Sequence, residues 1–437
     1  MHVAILGNGI TGATAALRLR ELRPDWRITM ISGESTYPYS RPALMYIYMG
    51  HMGYKETKLK EDFVWADARI ELVRGWVSRI DHEAKRLELV GAGELSYDKL
   101  LIATGAKPNR FGWPGQDLGG VQGFYSLMDL KQLIDNSVGA EHGVVVGGGL
   151  IGIEMAEMLH SRGIAATLLV REKGYWSNVL PREESELVRL EIEGAGIGLE
   201  LETELDEILD DGKGRAGAVR TKDGRELACQ IVGLTAGVSP NVAVVKASGI
   251  ACGRGVLVDR ALRAKVPGVW AAGDCAEVET EGEERNLIQQ VWYTGEAQGR
   301  AAAASLAGET VDYEPAFWFN SAKFVDLEYQ TYGSVPADGE NSLVAQTNGP
   351  VSGRLLRLVH DDGRLVGVNA MGIRLRHLVL QAWIEQGRDV HYAIDHLQEA
   401  AFDPEFYEPL TERFVPELRR QAAALEQQPA TAQGGAR

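Results

Sequence analysis

Two glycine-rich loops constrain the fold of this chain, because each follows a short apolar run and opens an apolar helical pattern. They read Val3-Ala-Ile-Leu-Gly7-Asn-Gly9-Ile-Thr-Gly12 and Val144-Val-Val-Gly147-Gly-Gly149-Leu-Ile-Gly152. In such a loop the first glycine makes the strand-to-helix turn, the second lets the backbone approach a pyrophosphate, and the third allows close helix–strand packing. Phosphates then bind the free N–H groups at the helix N-terminus. Two such loops predict two nucleotide sites. We include Ile10 and Thr11 among the residues expected to bind at the first site.

A carboxylate about 20 residues beyond each loop is expected to bind the adenosine ribose. Glu34 meets this expectation for the first loop and Glu172 for the second. Arg171 stands directly before Glu172, and an arginine there would instead bind the additional phosphate of NADPH. The sequence therefore leaves open whether the second site prefers NADH or NADPH. A solvated loop charge is the alternative interpretation of both glutamates.

Charge and composition exclude several classes of function. The 437 residues carry a formal net charge of -16, which disfavours nonspecific binding to nucleic acid or to an anionic membrane. We find no apolar run of the roughly 20 residues that a membrane-spanning helix needs. The three cysteines lack metal-binding or dithiol spacing and suit a reducing compartment. The first strand begins at Val3, so we expect no signal peptide, no integral membrane association and a cytoplasmic protein.

Alternation of element types predicts an α/β fold with two Rossmann-like domains and a smaller α+β C-terminal domain. The turn-rich segment from Pro108 to Pro114 suggests a domain boundary. We assign residues 1–113 and 242–312 to the first domain, 114–241 to the second, 313–415 to the third and 416–437 to a helical or disordered tail. Small residues at 301–304 predict a close helix–sheet contact.

Two further charged residues are binding candidates on the residues alone. Arg41 lies in a rigid stretch flanked by prolines soon after Glu34, which suits a guanidinium facing a phosphate, although a surface charge explains it equally well. Asp274 follows a predicted buried strand, so it faces the ligand crevice of a parallel sheet. The alternative is that Asp274 caps a helix begun by Cys275-Ala-Glu.

The order of these motifs resembles the pyridine nucleotide–disulfide oxidoreductase superfamily of flavoproteins, which bind two dinucleotides. The resemblance rests on the two glycine loops and Glu34, and it covers residues 1–310 well. Four further motifs carry it: Pro38-Tyr-Ser-Arg-Pro42, Leu101-Ile-Ala-Thr-Gly-Ala-Lys-Pro108, Gly237-Val-Ser-Pro-Asn241 and Ala272-Gly-Asp274. The proline-rich run is most similar to the ferredoxin/rubredoxin reductase and nitrite-reductase flavin-subunit branch.

The resemblance implies FAD on the first loop and NADH or NADPH on the second, with the FAD domain split in sequence by the NAD(P)H domain. The residues that match the FAD site of the family are Gly7, Gly9, Gly12, Glu34, Arg41, Val77, Thr104, Gly105, Asp274 and Trp292. Those that match the NAD(P)H site are Gly147, Gly149, Gly152, Glu154, Arg171 and Glu172. The segment Phe317-Trp-Phe-Asn-Ser321 also matches a place where the family lines the flavin, with plain core as the alternative.

Two departures from the family pattern bear on the chemistry. Residues 32–60 contain no cysteine, so dithiol and sulfenate chemistry is expected to be absent. The branch usually has a lysine beside the flavin that pairs with the glutamate of the second loop, whereas here Tyr46 takes its place and Glu154 remains.

The resemblance implies an FAD-dependent NAD(P)H oxidoreductase that passes electrons to a small redox protein of ferredoxin or rubredoxin type. An NADH oxidase, a quinone-type reductase and a redox sensor with little turnover are the alternatives. A membrane-bound quinone reductase would need an apolar amphipathic C-terminal helix, and residues 415–428 are too polar for one. The third domain is expected to cover the flavin and to form contacts in a homodimer.

Overall fold

A computed structural model describes residues 1–91, 93–280, 286–347, 353–402 and 409–426. The strands are β1 (His2–Leu6), β2 (Arg27–Ser32), β3 (Ile70–Arg74), β4 (Val77–Asp81), β5 (Arg86–Leu89), β6 (Gly93–Ser96), β7 (Lys99–Ile102), β8 (Ala106–Pro108), β9 (Val121–Gln122), β10 (His142–Val146), β11 (Ala165–Leu169), β12 (Gly198–Glu200), β13 (Leu205–Asp210), β14 (Ala216–Thr221), β15 (Glu226–Ala228), β16 (Ile231–Leu234), β17 (Val238–Pro240), β18 (Val256–Val258), β19 (Val269–Ala271), β20 (Ala276–Val278), β21 (Phe319–Phe324), β22 (Leu327–Gly333), β23 (Ser342–Thr347), β24 (Arg354–Asp361) and β25 (Arg364–Met371). The α-helices are α1 (Ile10–Leu22), α2 (Leu44–Tyr48), α3 (Asp62–Asp67), α4 (Leu127–Asn136), α5 (Leu150–Ser161), α6 (Arg182–Gly194), α7 (Ala243–Ala247), α8 (Trp292–Ala307), α9 (His377–Glu385), α10 (Val390–Asp395), α11 (Leu410–Arg413) and α12 (Val415–Glu426).

The first sheet is parallel and has the strand order β19-β7-β1-β2-β3. Its central strand β1 lies between β2 and β7, with Val3 opposite Ile28 on one side and Lys99 on the other. Because helices cover both faces of such a sheet, the central strand is continuously apolar. The chain leaves this sheet after β7 and returns to it for β19.

The second sheet is also parallel, with the order β12-β11-β10-β16-β9. Here β10 is central, α5 follows it, and β11 pairs with it from His142 opposite Ala165 to Val146 opposite Leu169. A separate antiparallel sheet of β13, β14 and β15 lies in the same part of the chain. The predicted α/β fold with two Rossmann-like units is confirmed, and the domain boundaries remain predictions.

The third sheet is antiparallel, with the order β21-β22-β25-β24-β23. Helix α12 packs against β23, where the Gln421 side chain donates to the carbonyl oxygen of Val344 at 2.7 Å. Leu418 and Ala422 are buried in this contact, so residues up to 426 belong to a packed layer. The remainder of the predicted tail, 427–437, lies outside the described residues.

Helix α8 approaches α1 closely because both helices present small residues. A Cβ added at Gly299 would lie 2.6 Å from the carbonyl oxygen of Thr11, so glycine is required there for the contact. Ala302 and Ala303 are fully buried, and α8 also packs against β19. The small residues therefore serve a helix–helix contact as well as the predicted helix–sheet contact.

Candidate functional site

The first glycine loop joins β1 to α1, and its three glycines have different surroundings. Gly7 has φ +116°, and an added Cβ would lie 2.0 Å from the Ala103 carbonyl oxygen on the neighbouring strand. A Cβ at Gly12 would lie 2.0 Å from the carbonyl oxygen of Gly7. A Cβ at Gly9 would meet nothing within 4 Å. Gly7 and Gly12 are therefore needed by the fold, whereas Gly9 leaves open space beside the N-terminus of α1.

Glu34 follows β2 and lies in a partly buried polar network. Arg41 Nη2 donates to Glu34 Oε2 at 2.7 Å, and the backbone N–H of Leu127 donates to Oε1 at 2.7 Å. The Tyr39 hydroxyl donates to the same carboxylate. Arg41 also donates to the Tyr125 carbonyl oxygen at 3.0 Å. Arg41 and Glu34 are therefore paired and largely covered, with 29% and 11% of their side chains exposed, and their role in binding remains a prediction.

Asp274 lies beyond β19, at the carboxyl edge of the first sheet. The Tyr125 hydroxyl donates to Asp274 Oδ2 at 3.0 Å and accepts the N–H of Ala106 at 3.0 Å. Burial raises the pKa of Asp274, and the Tyr125 hydrogen bond and the Arg41 charge oppose this rise. The alternative in which Asp274 caps a helix is wrong, because the next residues form β20, which pairs with β18.

Thr104, Gly105 and Val77 also lie at this edge of the first sheet. The Thr104 hydroxyl donates to the Asn241 carbonyl oxygen at 2.7 Å, and Asn241 N–H donates to Gly105 at 2.9 Å. These contacts join the segment that leaves the first sheet after β7 to the segment that returns to it after β17. Val77 begins β4 directly after Trp76, whose ring lies against Gly33 beside Glu34.

The start of α8 fits the polar edge of a flavin ring. Gln289 Oε1 and Gln290 Nε2 are buried and have no hydrogen-bond partner among the described residues. Trp292 is the first residue of α8, and no side chain caps this N-terminus. A flavin presents alternating donors and acceptors along its pyrimidine edge, which matches one unpaired amide oxygen, one unpaired amide nitrogen and the free helix N–H groups. Together with the space at Gly9, these residues fit FAD.

The second glycine loop repeats the geometry of the first. Gly147 has φ +135°, and a Cβ at Gly152 would lie 2.3 Å from the Gly147 carbonyl oxygen. A Cβ at Gly149 would meet nothing within 4 Å, so space is again open beside the start of a helix, α5. The Tyr175 hydroxyl donates to the Gly149 carbonyl oxygen at 2.8 Å and holds the loop in place. This loop fits a second dinucleotide.

Glu172 and Arg171 follow β11 at the expected position for the ribose. Their side chains form an ion pair of 2.8 Å, in which Arg171 is 75% exposed and Glu172 26% exposed. Glu172 is therefore largely covered by the protein, whereas Arg171 extends into solvent.

Glu154 lies on α5 and has no hydrogen bond or ion pair within the described residues. Tyr46 stacks instead on His51, with ring centroids 6.0 Å apart, so the ion pair that the family makes here is absent. Burial and the nearby Glu157 raise the pKa of Glu154 to about 7. Sequence reasoning missed Lys323, which reaches Glu157 from β21 at 3.6 Å.

Phe317 and Phe319 belong to an aromatic cluster with Tyr293 of α8 and His377 of α9. The Phe319 ring centroid lies 4.1 Å from that of Tyr293 on α8 and 3.9 Å from that of His377. Trp318 is partly exposed. The cluster therefore lies beside the start of α8, where the flavin edge is expected.

The three cysteines are all free, and Cys229 and Cys275 are buried. Among the described residues we find no group of histidine, cysteine and carboxylate side chains that could hold a metal ion. Within that same part of the chain, each helix is too short or too polar to cross a membrane.

Comparison with known proteins shows one matching family and several similar relatives. The profile of the pyridine nucleotide-disulphide oxidoreductase family matches residues 1–299. The chain is 30% identical to the ferredoxin–NAD(+) reductase subunit of the benzene 1,2-dioxygenase system of Pseudomonas putida, over 85% of this chain and 89% of that protein. It is also 30% identical to the ferredoxin–NAD(+) reductase component of the biphenyl dioxygenase system of Paraburkholderia xenovorans, over 84% and 89% of the two chains.

Solved structures agree with these relatives. The ferredoxin reductase for the CYP199A2 system from Rhodopseudomonas palustris superposes with a TM-score of 0.78 at 25% identity, covering 92% of this chain and all of that one. The similarity therefore extends through the third sheet, beyond the residues that the family profile matches.

Proposed function

The chain belongs to the pyridine nucleotide-disulphide oxidoreductase family, in the branch of the ferredoxin reductases, and on this premise we propose that it transfers electrons from NADH to a small ferredoxin-type protein. The chain is an NAD(P)H-dependent flavoprotein oxidoreductase that uses FAD. We further propose that it acts in the cytoplasm, where NADH is available and thiols stay reduced. Assembly as a homodimer remains a prediction.

The observation that carries the proposal is the combination of two dinucleotide loops with the absence of a dithiol. Residues 32–60 contain no cysteine, and the three cysteines of the chain lie at 229, 252 and 275. Burial raises the pKa of all three thiols, which keeps them protonated and unreactive. Electrons therefore have no cysteine path through the protein and must leave to an external acceptor.

We propose that the first site binds the adenosine half of FAD through the α1 N-terminus and Glu34. The α1 N–H groups receive the diphosphate, and Gly9 provides the room for it. Glu34 accepts hydrogen bonds from the ribose in exchange for part of its present network, while Arg41 stays beside the phosphates. Asp274 accepts a hydrogen bond from the polyol chain, and Tyr125 supports its orientation.

We propose that the second site binds the nicotinamide dinucleotide along α5. The free N–H groups after Gly149 receive its diphosphate, and Glu172 accepts its ribose hydroxyls. The bound cofactors supply the hydride chemistry, and the protein supplies alignment and electrostatics. The rings of Tyr293, Phe319 and His377 pack together beside the start of α8.

Rapid-mixing spectroscopy of the FAD-loaded protein tests this proposal. We expect NADH to bleach the flavin and the reduced protein to reduce a plant-type or bacterial [2Fe–2S] ferredoxin at least about tenfold faster than oxygen or menadione. Faster reaction with oxygen or menadione would support an oxidase or a quinone reductase instead. Slow bleaching without acceptor turnover would support a redox sensor. Either result would contradict the proposed electron transfer.

Glu172 is expected to make the enzyme prefer NADH to NADPH by at least about tenfold in kcat/KM, because its carboxylate repels a 2′-phosphate. Glu172→Gln removes this repulsion and releases Arg171, which then pairs with the phosphate. We expect the variant to narrow the preference mainly by raising the kcat/KM for NADPH.

Glu204→Gln is a matched control, since Glu204 is an exposed carboxylate near Arg171 that pairs with Lys222 at 2.6 Å. The control is expected to keep the wild-type preference. Equal use of both nucleotides by the wild type would show that Glu172 does not exclude NADPH.

A further inference from the structure

Two carboxylates on α5 lie where three parts of the molecule meet. Glu154 and Glu157 are one helical turn apart and share a face. Helix α5 packs against α2 and against β21 of the third sheet. Lys323 Nζ lies 3.6 Å from Glu157 Oε1, while Glu157 Oε2 is buried and has no hydrogen-bond partner among the described residues. Glu154 likewise has no partner within the described part of the chain.

The charges around this pair do not balance when both carboxylates are ionised. Lys323 is the ammonium that reaches the pair, and it is shared with Asp326 at 3.4 Å. Asp326 and His51 also act on the charge of Glu157, and Tyr175 lies near Glu154. Tyr46 stacks on His51, and Glu191 of α6 accepts the N–H of Asp326, so these two groups are one contact further from the pair.

This imbalance disfavours ionisation of both carboxylates at the same time. Burial and the charge of Glu157 raise the pKa of Glu154 to about 7. Burial also raises the pKa of Glu157, and Lys323 opposes that rise. Two coupled carboxylates of this kind titrate as a pair.

The nicotinamide ring is expected to pass this face of α5. Its diphosphate binds where α5 begins at Gly149, and the ring must then reach the first domain, which meets α5 through α2. The oxidised ring carries a positive charge, and the reduced ring is neutral. An ionised Glu154 therefore favours the oxidised ring over the reduced ring.

We propose that Glu154 releases a proton when the oxidised dinucleotide binds and regains one when it leaves, and that Lys323 is a positioning residue that sets the pH of this exchange. The inference rests on the proposed function. The step is balanced: a carboxylic acid and NAD⁺ give a carboxylate, bound NAD⁺ and one free proton. The affinity for NAD⁺ then rises with pH between the pKa of Glu154 in the complex and its pKa in the free protein. The rise is at most about tenfold per pH unit for one proton, and the affinity is constant below and above this range.

Calorimetry of the oxidised, FAD-loaded protein with NAD⁺ tests the exchange. The heat of binding is measured in phosphate and in Tris buffer, whose different ionisation enthalpies yield the number of protons released. We expect the release to reach about half a proton near pH 7 and to fall towards zero near pH 5.5 and pH 9. The analogue with a 1,4,5,6-tetrahydronicotinamide ring is neutral and is expected to bind without release.

Matched variants assign the proton to its source. Glu154→Gln is expected to bind NAD⁺ without proton release. His51→Gln is expected to release a proton as the wild type does, which would show that the His51 imidazole is not the source. Lys323→Met removes a positive charge that favours ionisation of the carboxylate pair, so the pH of maximal proton release is expected to move upward. Lys323→Arg keeps the positive charge and is expected to leave this pH unchanged.

Two results separate the inference from the proposed function. Wild-type protein that binds NAD⁺ without releasing a proton, or Glu154→Gln that still releases one, overturns the inference alone. Protein that binds FAD but no NAD⁺ contradicts the proposed function and the inference together.

Discussion

Replacing Gly9 with alanine is expected to keep the first domain folded and to weaken FAD binding by at least about tenfold. The backbone of Gly9 has φ −66°, which alanine adopts, and the added methyl group meets nothing within 4 Å. That same space is where the diphosphate must touch the N-terminus of α1. A tenfold loss corresponds to about 1.4 kcal/mol of binding free energy. Quenching of flavin fluorescence during titration of the apoprotein measures the affinity, and circular dichroism checks the fold.

Two other glycines provide the controls for this prediction. Gly149→Ala makes the equivalent change at the second loop, so it is expected to keep FAD and to raise the dissociation constant of NADH instead. Gly7→Ala adds strain at φ +116° and a contact of 2.0 Å with the Ala103 carbonyl oxygen, so it is expected to abolish folding of the first domain. A Gly9→Ala protein with wild-type FAD affinity would show that the diphosphate lies elsewhere.

The sequence predicts the two parallel sheets well because their signals are local. An apolar strand, three spaced glycines and a helix lie within about 20 residues, so the order of residues alone specifies β1 with α1 and β10 with α5. The two glutamates proposed to bind the ribose groups, Glu34 and Glu172, follow from the same spacing. The relatives found by comparison confirm the family that these motifs predicted.

The partners of the site residues could not be predicted, because they are distant along the chain. Tyr125 reaches Asp274 across 149 positions, and Leu127 reaches Glu34 across 93. The helix-cap interpretation of Asp274 failed for a related reason: β20 forms by pairing with β18, which nothing near Asp274 indicates. Contacts of this kind depend on how the elements pack, and one sequence contains no local signal for them.

A charged residue within an apolar strand is a signal that could have been used. Arg357 interrupts the run Leu355-Leu-Arg-Leu-Val359 in β24, and the structure buries it with only 2% of its side chain exposed. Its ion pair with Glu184, which is 0% exposed, connects the third sheet to α6 of the second domain. Such a residue must have a buried partner, although the sequence does not say which one.

Arg357→Met is expected to lower the free energy of unfolding by about 3–5 kcal/mol, because it leaves the Glu184 carboxylate buried without its cation. Arg357 donates to both oxygens of Glu184, at 2.7 and 2.8 Å, and Asn369 adds a bond of 3.1 Å that cannot replace the lost charge. Urea unfolding followed by tryptophan fluorescence measures the loss.

Glu183→Gln is the matched control for the buried pair, since Glu183 also binds Arg357 at 2.7 Å but is 47% exposed. Water screens that pair, so its loss is expected to change the unfolding free energy by less than about 1 kcal/mol. The double variant Arg357→Met, Glu184→Leu removes both charges and is expected to recover most of the stability, because an apolar pair leaves no charge unpaired. If the double variant is no more stable than Arg357→Met alone, the loss comes from packing of the arginine side chain and the buried charge on Glu184 is not its cause.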